Sequence, residues 1–289
     1  MSFQKYEAFI KVVECGSFTK AASLLNYTQS GISRMMQDLE TEWKVQLFDR
    51  GRHGIRLTKD GEKLFPQLQR VYNEQIRLIH QIAELHNLQS GFIRIGTFSS
   101  VATHWLPNMI KHFKEDYPNI EFELLLGDYA EIENWIIEGR IDFGFIGLPS
   151  KIPLDTLFLE LDRLLVVLPE DHPLADCDYF PISELENNPF MLLEKGGKAE
   201  IAEVFGQHQV RPTVHFTTWD DYAIMSMVEN GLGISILPEL ILQRIPYKLV
   251  TKELEIPAFR KIGIAIRNKK ALSHAATKFL DYLPYRNKS

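Results

Sequence analysis

The chain has 289 residues, of which 45% are hydrophobic and 11% aromatic, and its formal net charge is −6. That length is enough for two or three compact units with cores of their own. No apolar run reaches the ~18 residues needed to span a bilayer, and the charged start predicts no signal peptide, so we expect a cytoplasmic protein. With only two cysteines, Cys15 and the distant Cys177, neither a disulfide framework nor a thiolate metal site is predicted.

Three helices are predicted in the first 39 residues. Residues 3–15 and then 18–39 place apolar side chains at helical spacing, and the second stretch is interrupted by a tight turn at Asn26 and Tyr27. Thr28 is predicted to cap the third helix. The outward side chains of that helix are short polar groups and a guanidinium: Thr28, Gln29, Ser30, Ser33, Arg34 and Gln37. Such groups bond base edges, which predicts a helix-turn-helix whose second helix enters the major groove of DNA.

A wing is predicted directly after these helices, as two short strands around a basic tip that contains glycine. Its candidate DNA contacts are Arg50, Arg52, His53 and Arg56, with Lys59 just beyond. Residues 1–61 hold nine Lys or Arg and seven Asp or Glu, a balance of +2, so the other 228 residues carry −8. A basic tip is often an ordinary solvated loop. Beside a recognition helix it favours phosphate contacts, whose strength falls steeply with salt.

Many positions of this region match one known family in register. They are Phe9, Gly16, Ser17, Phe18, Thr19, Ala21, Ala22, Leu25, Gln29, Ser30, Ile32, Ser33, Leu39, Glu40, Leu47, Phe48, Arg50, Leu57, Thr58 and Gly61. On these residues the segment 1–61 resembles the winged helix-turn-helix of LysR-type transcriptional regulators. One position departs from the pattern, because Lys44 stands where the family usually has glycine after the recognition helix.

A long helix is predicted over residues 58–88. Apolar side chains step by three and four along it, with Gln75 as a polar interruption and Pro66 near its start; the seam is Leu64, Leu68, Val71, Gln75, Leu78, Ile82 and Leu85. A heptad seam predicts a dimer, although a helix packed on its own domain would show similar spacing. In the family that this chain resembles, the segment is a linker helix that pairs two chains. Two recognition helices would then read an inverted repeat.

Strands and helices alternate from residue 92 onward. Strands are predicted at 92–96, 121–126, 142–146, 164–168, 190–193, 213–217, 234–237 and 262–267, and helices at 101–116, 130–138, 199–207, 221–230 and 273–283. The first part reads as a βαβαβ unit with a parallel sheet. Two crossings, near residues 160–163 and near 267, suggest a clam-shaped ligand binder. Gly231 and Gly233 follow a helix and enter a strand, the reverse of a dinucleotide-binding loop, and they resemble the family's glycine-rich turn.

The predicted fold class is therefore α/β, with an N-terminal winged helix-turn-helix, a long linker helix and two α/β lobes of periplasmic-binding-protein type. The predicted boundaries are 1–58 for the DNA-binding domain, with its helix-turn-helix at 18–37, 59–89 for the linker helix and 90–289 for the effector-binding domain. Lobe I would comprise 90–161 and 268–289, and lobe II 162–267. We expect a homodimer or a homotetramer, with RNA polymerase as a candidate partner.

A ligand cleft is predicted where the carboxyl ends of the strands meet. Its loops carry Thr97 to Ser100, Gly127 and Asp128, Gly147 to Pro149, Glu194 to Gly197, and Thr217 to Trp219. The helix after Ser99 and Ser100 would favour an anion, whereas Asp128 and Glu194 suggest an amine or amino-acid group. By resemblance, the effector contacts are Ser99, Ser100, Asp128, Gly147, Thr218 and Trp219. No cofactor is predicted.

Three other functions compete with a ligand-responsive regulator. An enzyme is disfavoured because the sequence has no nucleophile turn, no HExxH or CxxC motif, and scattered histidines. A solute receptor without DNA activity is disfavoured by the basic wing. A thiol-based redox sensor would need a reactive cysteine, normally with a partner, and Cys177 has no second cysteine near it in sequence.

Overall fold

The computed structural model describes residues 3–51, 54–86, 91–193 and 198–287. The chain divides into two compact units, one formed by Met1–Ala83 with Glu138–Arg140, and the other by Glu84–Ile137 with Ile141–Ser289. None of the helices in these described ranges is long and apolar enough to cross a membrane.

Three helices open the first unit: α1 (Phe3–Cys15), α2 (Phe18–Leu24) and α3 (Gln29–Trp43). They pack around Phe9, Ile32 and Met36, which are fully buried. Thr28 caps α3 as predicted, because its Oγ1 accepts a hydrogen bond from the amide of Gly31 at 3.1 Å. Lys44 ends α3 in the left-handed conformation with φ of 55°. Glycine adopts this backbone conformation without strain, which explains why glycine is usual here in the family that the sequence resembles.

The wing consists of β1 (Phe48–Gly51) and β2 (Gly54–Leu57), which pair antiparallel. Phe48 anchors it in the helical core, with ring centroids 5.2 Å from Phe9 and 5.7 Å from Phe18. Glu40 of α3 fixes the start of β1, because its Oε1 accepts from the amides of Leu47 at 2.7 Å and Phe48 at 3.1 Å. Burial on one side and a carboxylate on the other thus hold the wing against the recognition helix.

The helix α4 (Lys59–His86) follows, capped by Thr58 Oγ1, which accepts from the amide of Gly61 at 3.0 Å. Pro66 lies within it. The predicted seam divides into two parts. Leu64 and Leu68 pack into the core of the first unit, whereas later apolar side chains are about half exposed: Val71 at 51%, Leu78 at 54%, Ile79 at 50% and Ile82 at 47%.

The second unit begins with the predicted βαβαβ succession. Its elements are β3 (Gly91–Thr97), α5 (Ser99–His104), α6 (Leu106–Asp116), β4 (Ile120–Leu126), α7 (Tyr129–Ile137) and β5 (Phe143–Gly147). β3 pairs parallel with both β4 and β5, which confirms the parallel sheet. The single helix predicted over 101–116 is wrong. It is two helices that meet at Trp105, because Pro107 has no amide hydrogen to continue the first.

Two long strands run through this unit, β6 (Asp155–Pro169) and β10 (Leu249–Ile266). They pair antiparallel from Asp155 with Ile266 to Pro169 with Leu249. The sequence pattern predicts only residues 164–168 and the end of β10 as strands and a crossing at 160–163, so most of this ladder differs from the prediction. The missed parts carry charged residues and exposed apolar residues, which obscure a strand pattern.

The remaining elements are β7 (Phe190–Leu193), α8 (Lys198–His208), β8 (Val214–Thr218), α9 (Asp221–Glu229), β9 (Ser235–Pro238) and α10 (His274–Leu280). A six-stranded sheet has the order β4-β3-β5-β10-β6-β9, and β7 pairs parallel with β8 separately. Separate buried cores form around Phe113 and Phe279, around Leu168 and Phe190, and around Met225 and Leu237. The helix predicted over 273–283 is shorter and is followed by a 3-10 turn at Leu283–Asn287.

Candidate DNA-binding surface and ligand cleft

The helix α3 has one buried and one polar face. Ile32, Met36 and Leu39 are fully buried, so the side chains between them point away from the core. Gln29, Ser30, Arg34 and Gln37 are exposed, and Ser33 is half-buried. Thr28 is also exposed, but its hydroxyl is engaged as the helix cap and lies 3.1 Å from Ser30 Oγ. The exposed face thus offers amides, a hydroxyl and a guanidinium, the groups that read base edges.

The wing contributes the other predicted DNA contacts. Arg56 is exposed on β2, two residues from the tip. Arg50 lies in β1, while Arg52 and His53 fall outside the described residues. Lys59 at the start of α4 is exposed as well. An exposed arginine on a strand held against a recognition helix is placed to contact a phosphate beside the groove.

The second unit contains a cavity of about 40 Å³ at the carboxyl end of β3. Its described lining comes from the segments that follow β3 and β4, from the end of β7, from the start of α9, from the end of β9 and from β10. The lining residues are Phe98, Ser99, Ser100, Leu126, Gly127, Asp128, Tyr129, Leu193, Asp221, Pro238 and Arg260. The cavity lies where the position of strand ends predicted a ligand cleft.

The structure brings together three of the six predicted effector contacts in this cavity, namely Ser99, Ser100 and Asp128. The other three lie outside the described lining. Gly147 is covered by the ring of Tyr129, since an added Cβ would meet that ring at 2.4 Å. Thr218 Oγ1 accepts from the amide of Asp220 at 3.3 Å, and Trp219 is 56% exposed. Glu194 to Gly197 lie outside the described residues.

Arg260 is the one basic residue in the described lining of the cavity, and only 5% of it is exposed. Its Nε and Nη2 donate to Asp162 Oδ2 at 2.8 and 2.6 Å, and Nη2 also donates to Ser100 Oγ at 2.7 Å. The guanidinium lies 5.0 Å from the ring centroid of Phe98. Asp162 is completed by the amide of Leu240, which donates to Oδ1 at 2.9 Å. Buried charges persist when they are paired and hydrogen-bonded in this way.

Asp221 faces the same cavity from the first residue of α9 and is 8% exposed. Burial raises the pKa of its carboxyl, while Arg260 and a hydrogen bond with Ser99 act in the opposite direction. The neighbouring Asp220 is the helix cap, because its Oδ1 accepts from the amide of Tyr222 at 2.9 Å. The hydrogen bond from Ser99 links the first residue of α5 to the first residue of α9.

Arg260 and Asp221 are not among the contacts predicted from the sequence. Arg260 lies in a part of β10 that the sequence pattern does not predict as a strand, and Asp221 is predicted only as the first residue of a helix. A signal was present in both cases, since a charged residue within an otherwise apolar strand or helix face often marks a site. Among the described residues, no group of three or more His, Cys, Asp or Glu side chains is arranged to hold a metal ion.

Comparison with known proteins identifies both units. Residues 3–62 match the model of bacterial regulatory helix-turn-helix proteins of the lysR family, and residues 86–287 match the LysR substrate binding domain. The chain is 32% identical to the uncharacterized HTH-type transcriptional regulator YvbU of Bacillus subtilis, over 97% of each chain. It is 33% identical to the probable HTH-type transcriptional regulator LrrA of Synechococcus elongatus, over 98% of this chain and 96% of that one.

The fold also matches solved structures over its whole length. Full-length CbnR complexed with its target DNA superposes with a TM-score of 0.75 at 19% identity, over 99% of this chain and 100% of that one. The resemblance found in the sequence is confirmed by two family matches and by relatives that span nearly the whole chain. The chain therefore belongs to the LysR family of DNA-binding transcriptional regulators, in which a helix-turn-helix domain precedes a substrate- or effector-binding domain, and not to a class of enzymes.

Proposed function

We propose that this regulator binds an inverted-repeat operator as a homodimer or homotetramer, and that a small molecule in the cavity of its second unit changes that binding. The observation that carries the proposal is the division of α3 into a buried face of Ile32, Met36 and Leu39 and an exposed face with Gln29 and Arg34. A helix with these two faces docks on its own core while its polar groups reach base edges.

The proposed inverted-repeat operator follows from pairing of two chains through α4. Half-exposed apolar residues recur along this helix after the part that packs into the first unit, at Val71, Leu78 and Ile82. Such a stripe on a helix is typically covered by a second helix. Two copies joined there would present two recognition helices to half-sites about one DNA turn apart, or a multiple of it.

The effector is proposed to be a small anion or an amino-acid-like metabolite. Ser99, Ser100 and Asp128 supply hydroxyl and carboxylate groups, and loops from several elements converge on the cavity. The effector can shift the equilibrium between two conformations of the regulator only by the difference between its affinities for them.

RNA polymerase is a further candidate partner, and the cytoplasm is the proposed location.

A matched pair of arginine variants tests the DNA-binding part. Arg34→Ala should weaken binding to the specific site by about 1–3 kcal/mol and leave binding to random DNA nearly unchanged, because a base contact is lost. Arg56→Ala should weaken binding to both DNAs alike and reduce the salt dependence, because a phosphate contact is lost. Both are measured by titration of labelled DNA at two salt concentrations. Equal specific affinity for Arg34→Ala and the unmodified protein would place the recognition contacts elsewhere.

A further inference from the structure

We propose that the effector carries a protonated amino group and that Asp221 binds it. The proposal rests on the cavity being the effector site, and it selects the amino-acid-like or amine class over a simple anion. It also assigns a ligand-recognition role to a residue outside the set of contacts predicted from the sequence.

The balance of charge around the cavity favours a cationic ligand. Arg260 is the single basic side chain in its described lining, and Asp162 already neutralises it through contacts at 2.6 and 2.8 Å. Among the described lining residues, Asp221 is then a buried carboxylate in excess of the positive charge. Asp128 adds another acid to this lining. An incoming anion would meet a guanidinium that is already paired and two carboxylates, whereas a monocation would balance Asp221.

The position of Asp221 also favours an ammonium group. Asp221 lies at the start of α9 and accepts a hydrogen bond from the hydroxyl of Ser99, the first residue of α5, which lines the same cavity. A hydroxyl is a neutral partner for a buried carboxylate, and burial raises the pKa of Asp221 despite it. An ammonium group has three donors and carries charge, and charge-assisted hydrogen bonds are roughly twice as strong as neutral ones. The ammonium is therefore the partner that compensates the buried carboxylate fully.

The remaining lining of the cavity is largely apolar. Apolar surface around the polar groups comes from Phe98, Leu126, Tyr129, Leu193 and Pro238. The part of the ligand next to the amino group is thus at least partly apolar.

Three probes of equal chain length and different charge test the assignment: n-propylamine, 1-propanol and propionate. Each is titrated into the full-length protein near neutral pH, with the heat of binding as the readout. Propylamine is expected to bind most tightly. Asp221→Asn should lower its affinity at least about tenfold, as expected for loss of a charged hydrogen bond, and should leave 1-propanol unaffected. Asp171→Asn, which changes an exposed aspartate of the same unit, serves as the control and should bind propylamine like the unmodified protein.

Several results would overturn the proposal. They are tighter binding of propionate than of propylamine, an unchanged propylamine affinity in Asp221→Asn, and absence of binding by all three probes. Asp221→Ser provides a second variant without the carboxylate in case the first does not fold. DNA titrations on the same preparations separate this question from the proposed function. If both variants still bind the specific DNA, a failed ligand test overturns only the assignment of Asp221 and not the proposed function. If the unmodified protein does not bind specific DNA, the proposed function itself is contradicted.

Discussion

At the scale of single residues, two positions share one backbone conformation but carry different residue types. Gly16, between α1 and α2, has φ of 59°, and Lys44, after α3, has φ of 55°. Glycine adopts this region freely, whereas a side chain costs roughly 1–2 kcal/mol there. A Cβ at Gly16 would meet no atom within 4 Å, so the backbone alone decides the effect of a substitution.

Opposite exchanges at these two positions should therefore have opposite effects. Lys44→Gly is expected to raise the free energy of unfolding by about 0.5–1 kcal/mol, because the relief of backbone strain exceeds the cost of the more flexible unfolded chain. Gly16→Ala is expected to lower the free energy of unfolding by about 1 kcal/mol. Urea unfolding of the full chain, followed by circular dichroism, measures both. A loss of stability in Lys44→Gly would mean that the lysine side chain makes a contact worth more than the backbone strain.

Asp221 should make the stability of the folded protein depend on pH. Because burial raises its pKa in the folded protein, the folded state holds this proton more tightly than the unfolded state does. Stability is therefore highest when the carboxyl is protonated, and it falls as pH rises from the usual aspartate value through the raised one. The groups that act on it from neighbouring elements are Arg260 and Ser99, with Asp220 beside it.

Asp221→Asn removes that titration and should raise the free energy of unfolding at pH 7 in the absence of ligand. The gain should shrink as the pH is lowered toward the usual aspartate pKa, since both proteins are then uncharged at this position. Unfolding curves of the two proteins at several pH values measure the difference, in which the other carboxyls cancel. A variant that is equally destabilised at neutral and acidic pH would show that the charge of Asp221 is not the cause. A stabilised variant that no longer binds ligand would be typical of a binding-site substitution.

At the scale of elements, α4 has two parts with different surroundings. Leu64 and Leu68 belong to the core of the first unit, so their heptad spacing reports intramolecular packing. Val71, Leu78 and Ile82 continue the same spacing but are about half exposed. The spacing of apolar residues is the same in both parts, because a helix face has one periodicity whether its own domain or a second chain covers it.

A charge placed in the exposed part should disrupt pairing of two chains. Ile82→Glu is expected to raise the dimer dissociation constant at least about a hundredfold, because apolar burial is lost in both copies and a carboxylate is desolvated. Gln67→Glu is the matched control, since Gln67 is exposed on the same helix and lies off the seam. Sedimentation equilibrium measures both. Equal dissociation constants for the two variants would place the dimer contact on another surface.

The success of sequence reasoning also differs between elements. The N-terminal helices, the wing and the βαβαβ unit were predictable, because caps, helical spacing and strand–helix alternation are local signals. The β6–β10 ladder was not, because it joins residues about a hundred positions apart, such as Asp162 and Arg260. The same reason separates the cavity residues. Ser99, Ser100 and Asp128 follow strands directly, whereas Arg260 reaches the cavity only through the long antiparallel pairing.

At the scale of the whole molecule, the net charge of −6 is unevenly distributed along the chain. The first 61 residues carry +2 and the other 228 carry −8. A basic DNA-binding segment joined to an acidic ligand-binding segment keeps nonspecific attraction to DNA moderate and leaves discrimination to base contacts. Binding to random DNA should for the same reason fall steeply between low and physiological salt.

A molecule bound in the cavity should change how the helix-turn-helix unit binds DNA. A footprint of purified full-length protein on the intergenic DNA upstream of its own gene, with and without pools of small amines, amino acids and carboxylates, measures this effect. We expect protection of an inverted repeat at physiological salt, and a pattern or affinity that shifts with a pool containing the amino group. Equal affinity for this DNA and random DNA, or a footprint that no pool changes, would contradict it.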